Sequence, residues 1–449
     1  MTTVGVAGSS VVFKDFSGSP RAHAMAAISA RINERLAGLP RRVALEWPSG
    51  QAGAQRADLR LVFNETRWLL PLLRGQIGLV ADAYVRGKVD IHGSLGDVMA
   101  VAAALVGDPV QSGSVGRLAR RLGAWRSRWL HQPERDASQI AFHYDVSDDF
   151  FALWLDPHRV YSCAYFEQPQ MTLAQAQEAK LDHICRKLQL TPGQRFLDIG
   201  AGWGGLLLWA AQHYRVQALG ITLSRNQHAH VNRLIDERGL RGQVEMRLLD
   251  YRELPADVCF DRIASIGMFE HVGRANLARY FRTVAALLKP GGLILNHGIT
   301  AGGLHNAQLG AGMGDYIDKY IFPGGELEHV SRVVQRLTQG GLELVDAESL
   351  RPHYARTLWA WSDALEQQLD AARRVTSEAT VRAYRMYLAG SAMSFERGWI
   401  SLFQLLATKP SGDLAQGTLR GAQSDFPFTR GHMYPAHEVT SPAPPPARR

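Results

Sequence analysis

Residues Phe196 to Gly205 read FLDIGAGWGG: an apolar run ends in Asp198 and opens into Gly200, Gly202, Gly204 and Gly205. An apolar stretch followed by clustered glycines predicts a buried strand that turns sharply into a helix, because glycine tolerates left-handed backbone and lets the chain approach a ligand. Gly200, Gly202 and Gly205 satisfy GxGxxG, the dinucleotide pattern in which backbone amides approach a pyrophosphate. Such folds place an acid about 20 positions further on for the ribose. Here that place holds GITLS, Gly220 to Ser224, with no acid. The acid precedes the glycines instead, as D-x-G-x-G-x-G.

Outward from this turn, strand-like and helical runs alternate: RFLDIG, VQALGIT, VEMRLLD, FDRIASIG and GLILNHGIT, with helices between the first three and before the last. That order predicts an α/β fold with a doubly wound, mostly parallel Rossmann-like sheet. A helix precedes it, TLAQAQEAKLDHICRKLQL, in which Thr172 and Gln175 form a capping-box signature. Beyond LELVDAESL, two helical segments are expected over Thr357–Ala372 and Glu378–Ala407.

The predicted organisation has a leader over 1–21, a small α+β domain over 22–110, a basic aromatic linker over 111–136, the α/β domain over 137–408 and a disordered tail over 409–449. ADLRLVFNE and GSLGDVMAVAAALVGD supply a strand and a helix to the small domain. The linker carries Arg117, Arg120, Arg121, Arg126 and Arg128 with Trp125 and Trp129 and no acid between Ser114 and Pro133. It reads either as a solvated connection or as a seat on anionic lipid. The tail is rich in Gly, Pro and Ser.

Hydrophobic residues make up 46% of 449, enough for a sizeable core, which excludes a disordered chain or a small disulfide scaffold. The three cysteines, Cys163, Cys185 and Cys259, form no CxxC pair, so neither a disulfide framework nor a structural zinc site is expected. No stretch approaches the roughly 18 apolar residues of a membrane span, and no secretory leader is apparent. A cytoplasmic protein is expected. The formal charge of +8 predicts attraction to an anionic partner. Nucleic acid is disfavoured because no binding motif accompanies the charge.

The glycine turn resembles the first motif of class I S-adenosyl-L-methionine-dependent methyltransferases. HYDVSDDFFALWLDPHRVYSCAYF, FLDIGAGWGG, GITLSRNQ, DYREL, FDRIASIGMFEHVG and YIFPGGEL together resemble the cyclopropane-fatty-acyl-phospholipid synthase family. The similarity covers about 139–407. GLVADAYVRGKVDIHGSLGDV resembles, more weakly, the small lipid-associating domain of the bacterial synthases. The resemblance implies a donor site made by Tyr161 and Ser162; by Phe196, Leu197, Asp198, Ile199, Gly200, Ala201, Gly202, Trp203 and Gly204; by Thr222, Leu223, Ser224, Arg225, Asn226 and Gln227; and by Asp250 and Tyr251. It further implies a bicarbonate cage from Cys163, Glu270, His297, Ile299 through its backbone, and Tyr354, an unsaturated membrane phospholipid as substrate, peripheral membrane contact and a homodimer.

The implied chemistry explains these residue types. An isolated alkene is a poor nucleophile, so attack on a sulfonium methyl needs alignment in a dry pocket. The resulting carbocation must lose a proton from the new methyl group to a base that is not itself methylated, a role that bicarbonate fits. Aromatic faces stabilise such a cation. Tyr316, Tyr320 and Phe322 are candidates for an acyl channel or for plain core. Three cage residues also have a structural alternative: Glu270 as a helix-start residue, His297 as a satisfied strand-end residue, Cys163 as a small buried hydrophobe. A methyl-branched or methylene product, or a silent lipid-binding protein on the same fold, are the competing functions.

The chain departs from the family at Ala201, where most relatives carry cysteine and the change threatens little, and at Ser391, where they often do, which puts in doubt any scheme that makes that thiol catalytic. Asp148 replaces asparagine, and Glu328 replaces proline.

Overall fold

The computed structural model describes residues 29–30, 32–107, 109–110, 148–255, 257–304, 309–411 and 430–434. The expected leader and linker, and most of the tail, lie outside the described residues.

The small N-terminal domain is built on strands β1 (Val43–Trp47), β2 (Gly50–Gly53), β3 (Leu59–Phe63) and β4 (Val89–His92), in the order β2-β1-β3-β4. Strict alternation turns Val43, Leu45 and Trp47 of β1 and Leu59, Leu61 and Phe63 of β3 to one face. Helices α1 (Leu69–Leu73), α2 (Ile77–Val85) and α3 (Leu95–Val106) belong to this domain. Ser94 caps α3 by accepting from the Asp97 amide, as the polar residue before the apolar run predicts.

After the short helix α4 (Asp148–Ala152) comes α5 (Leu173–Lys187), which carries the expected reciprocal capping box between Thr172 and Gln175. A seven-stranded sheet follows: β5 (Arg195–Ile199), β6 (Gln217–Thr222), β7 (Val244–Leu248), β8 (Phe260–Ile266), β9 (Leu288–Ala301), β10 (Glu343–Ser349) and β11 (Ile400–Thr408). Its order is β10-β11-β9-β8-β5-β6-β7, parallel from β9 to β7, with β11 antiparallel to both its neighbours. The order reverses at β5, so the crevice lies at the carboxyl ends of β5 and β8. Helices α6 (Gly205–Tyr214), α7 (Arg225–Glu237) and α8 (Leu277–Leu287) alternate with the strands; α9 (Met313–Tyr320) and α10 (Val330–Gln339) follow β9.

The C-terminal region corrects the expected helices. The first begins at Arg351 and breaks at Gln368, giving α11 (Arg351–Gln367) and α12 (Leu369–Val375). The second, α13 (Glu378–Glu396), stops well short of Ala407: Gly398 turns the chain at φ +71°, and ISLFQLLAT is the strand β11. Neighbours cover β11 on both edges and both faces, and an apolar run buried all round has no period to separate it from a buried helix.

The N-terminal domain docks through α2 onto α9 and α13. The Gly78 amide donates to the Ala311 carbonyl at 3.0 Å, and a Cβ at Gly78 would stand 1.9 Å from the Gly312 oxygen, so only glycine permits this approach. Lys319 and the Tyr320 hydroxyl both reach Asp82, and Arg382 spans Asp90 and the Tyr84 carbonyl. One apolar core therefore runs from the small sheet through to α11 and α13. Among the described residues no helix is long and apolar enough to cross a membrane.

Candidate active site

The turn after β5 forms as its sequence predicts. Gly200, Gly202 and Gly204 take φ of +78°, +56° and +83°. A Cβ on Gly205 would stand 2.9 Å from Val160, so that glycine admits the segment before Tyr161. Asp198 is buried beneath the turn, and desolvation pushes its carboxyl up to about 7. At the end of β6, the Thr222 hydroxyl donates to Gln227 Oε1 at 2.8 Å and accepts from the Ser224 amide, while Ser224 caps α7.

A cavity of about 160 Å³ opens over this turn, lined by Tyr161, Ser162, Asp198, Ile199, Gly200, Ala201, Gly202, Trp203, Thr222, Leu223, Gln227, Asp250 and Tyr251. The sequence-predicted donor residues thus converge, with exceptions. Phe196 and Leu197 are core residues of β5, Gly204 packs on Val231, and Ser224 serves as the helix cap. Arg225 and Asn226 point outward from the first turn of α7. Asp250 is held by Arg252 at its backbone and guanidinium. Arg159, Gly267 and His271, which lie inside the motifs but not among the predicted donor residues, also line the cavity, as does Lys180, which lies on α5 outside them.

A second cavity, of about 250 Å³, is lined by Tyr161, Ser162, Cys163, Glu270, His297, Ile299 and Tyr354 at one end. The five residues predicted for the cage thus line the same cavity. Glu270 Oε1 accepts from the Ile299 amide at 2.7 Å, while Oε2 is buried without a hydrogen-bond partner among the described residues. Burial pushes the Glu270 carboxyl up to about 7. His297 Nδ1 lies 3.2 Å from Gln404 Nε2, which leaves the imidazole's Nε2 as the ring N–H, and that atom is also unpartnered. Desolvation holds His297 neutral, and it holds Cys163 as the thiol, whose Sγ donates to the Ala164 carbonyl. Gly298 is required between them: a Cβ there would stand 2.1 Å from Phe269 and 2.8 Å from Glu270 Oε1.

Two orphaned polar atoms, one an acceptor and one a donor, in a buried pocket fit a small group that both donates and accepts hydrogen bonds. Bicarbonate has that donor and acceptor set.

The far end of this cavity is apolar and belongs to the N-terminal domain: Leu61, Ala81, Ile91, Val98, Ala102 and Leu105 line it. Tyr316 and Phe322 line it too, whereas Tyr320 instead holds Asp82. Ser391 also faces this cavity. Glu328 is buried and pairs with Arg274 at 3.4 Å, and Arg274 is held by Glu326 as well, which fixes the loop beside Glu270. Tyr161, Ser162, Gly267 and His271 line both cavities, so the two spaces meet at these residues.

This sheet order, glycine turn and buried acid define a class I S-adenosylmethionine-dependent methyltransferase. The family model of mycolic acid cyclopropane synthetase matches residues 131–405, and the chain belongs to that family. A probable fatty acid methyltransferase of Pseudomonas putida is 41% identical over 401 residues, covering 88% of this chain and 96% of that one. The cyclopropane mycolic acid synthase MmaA2 of Mycobacterium tuberculosis is 40% identical over 280 residues, 60% of this chain and 96% of that one. Among solved structures, mycolic acid cyclopropane synthase CmaA1 complexed with SAH and CTAB superposes with a TM-score of 0.57 at 38% identity, covering 61% of this chain and 98% of that one.

Proposed function

We propose that this methyltransferase adds the donor's methyl carbon to the cis double bond of an unsaturated acyl chain of a membrane phospholipid and closes a cyclopropane ring. The observation that carries this reading is the junction of the two cavities at Tyr161, Ser162, Gly267 and His271, where a polar nucleoside pocket meets a long apolar one. An acyl chain in the second cavity presents its alkene at the junction, beside Glu270 and His297.

Attack of the alkene on the sulfonium methyl breaks the carbon–sulfur bond and leaves a carbocation. Tyr161 and Tyr354 line the cavity there, and their ring faces stabilise positive charge. Loss of a proton from the new methyl group closes the ring. Bound bicarbonate supplies the base for that proton. Glu270 Oε2 would accept its hydrogen bond and His297 Nε2 would donate to it, with the Ile299 amide orienting Glu270. The Cys163 thiol stays protonated, so it does not compete for the methyl group.

A second reading, a methyl-branched or methylene product, is favoured by the name fatty acid methyltransferase carried by the Pseudomonas relative and by a Mycobacterium tuberculosis relative 36% identical over 395 residues. Incubating the enzyme with unsaturated phospholipid vesicles and S-adenosylmethionine decides. One CH2 gained per altered chain with far-upfield ring methylene protons supports the cyclopropane; retained or shifted alkene protons with the same gain give the second reading; no mass gain refutes both. The substrate sits in a bilayer, so contact is peripheral, and the arginines and tryptophans of 117–129 are the proposed seat on anionic lipid. Turnover that is equal on neutral and anionic vesicles and indifferent to salt would refute that seat.

A further inference from the structure

Lys180 is 2% exposed, yet it lies on α5 and carries an ammonium into the donor cavity. Three residues before it on the same helix face is Gln177, which donates to the Val160 and Ser162 carbonyls at 3.2 and 2.9 Å. Lys180 Nζ donates to Ser162 Oγ at 2.8 Å. Together they clamp the segment that joins the two cavities.

The clamp leaves Lys180 underserved. An ammonium has three donors, and the hydroxyl of Ser162 uses one. Asp156 and Asp198 attract it through space, but it forms no ion pair among the described residues. Asp156 is already committed, accepting from the amides of His158 and Val160 at 2.9 Å each. A buried cation without a counter-ion is costly. Asp198, which lines the same cavity, is a buried carboxylate in the converse position, drawn to Lys180 yet with no side-chain hydrogen bond or ion pair among the described residues. A ligand head that carries an ammonium and a carboxylate satisfies both at once.

We propose that Lys180 is the counter-cation for the carboxylate of the methyl donor's methionine end, with Asp198 receiving its ammonium. The inference rests on the donor assignment above. It makes α5, which lies outside the glycine motif, a part of the donor site, and it ties donor occupancy to the position of Ser162 at the junction. Burial supports it energetically: desolvation pulls the Lys180 ammonium down to about 8, a position that an incoming carboxylate reverses.

The test is calorimetric binding of S-adenosylhomocysteine and of its decarboxylated analogue to the full chain and to Lys180→Met. The full chain is expected to prefer S-adenosylhomocysteine by about 10- to 100-fold, the worth of a charge-assisted bond. Lys180→Met is expected to bind the two alike, by losing affinity for S-adenosylhomocysteine only. A variant that keeps the preference overturns the proposal and leaves the donor assignment standing; a full chain that binds neither compound overturns both. A second measurement needs no variant. At pH 8 the lowered Lys180 ammonium gains a proton when a carboxylate docks beside it. Binding of S-adenosylhomocysteine is then expected to take up more protons than binding of the decarboxylated analogue, read from heats in two buffers. Equal proton uptake for both compounds overturns the proposal.

Discussion

The amide of Ile299 donates to Oε1 of Glu270 at 2.7 Å, supporting a buried carboxylate whose Oε2 has no hydrogen-bond partner among the described residues. Burial outweighs the bond and carries the carboxyl from its usual 4.5 to about 7. The folded state then holds a proton more tightly than the unfolded chain between those values. Stability falls as pH rises through that window, by on the order of 3 kcal/mol above pH 7.

Glu270→Gln is therefore expected to be more stable than the parent at pH 8, by on the order of 1–3 kcal/mol, and no more stable at pH 4. Methyl transfer should fall by at least about 100-fold with S-adenosylhomocysteine binding retained. Melting curves at the two pH values and a vesicle assay check both parts. A variant less stable at pH 8 would show that the carboxylate is better solvated than its burial implies.

Gln404 stands opposite His297 on one side and Glu348 on the other, in register across β9, β11 and β10. Its Nε2 keeps His297 Nδ1 as the acceptor, so the ring N–H points elsewhere. Gln404→Leu should lower kcat on the order of tenfold without changing donor KM. Gln404→Glu puts an acceptor in the same place, favours the imidazolium and should move the acid limb of the pH–rate profile upward. An unchanged profile in Gln404→Glu would remove Gln404 from the positioning of His297.

The glycine at 298 is a question of space, since its Cβ would meet Phe269 and Glu270 together. Gly298→Ala should cost about 1–3 kcal/mol and lower activity more than its loss of folded protein explains. Denaturant unfolding beside turnover per folded molecule measures each.

What the sequence disclosed was whatever is local. FLDIGAGWGG is a strand, a left-handed turn and a helix start within ten residues, and Thr172–Gln175 closes its cap within four. Arg225 and Asn226 lie inside a contiguous motif but on the outward face of α7, a distinction that only the helix sets. Lys180 and Gln404 were not legible. A lysine in an amphipathic helix reads as solvated, and Gln404 sits in a strand that reads as helix because it is buried all round. The apolar residues of α2 and α3 look like core from the sequence; that they line a cavity continuous with Glu270 depends on how the two domains dock.

That continuity carries the last prediction. Ala102 faces the cavity from α3, on a domain that contributes none of the predicted donor or cage residues. In a packed core Ala102→Phe would cost about 1–3 kcal/mol through overpacking. Here the added ring has space to enter, so the melting temperature should change little. The ring then occupies volume that a long acyl chain needs. Turnover on vesicles of long-chain unsaturated phospholipid should fall on the order of tenfold or more, because the chain loses apolar burial worth about 0.8 kcal/mol per CH2. A short-chain dispersed lipid that does not reach Ala102 should be spared, and S-adenosylhomocysteine affinity should be unaltered. Equal losses on both lipids would mean that the ring disturbs the cage, and no loss on either would mean that the acyl chain lies elsewhere.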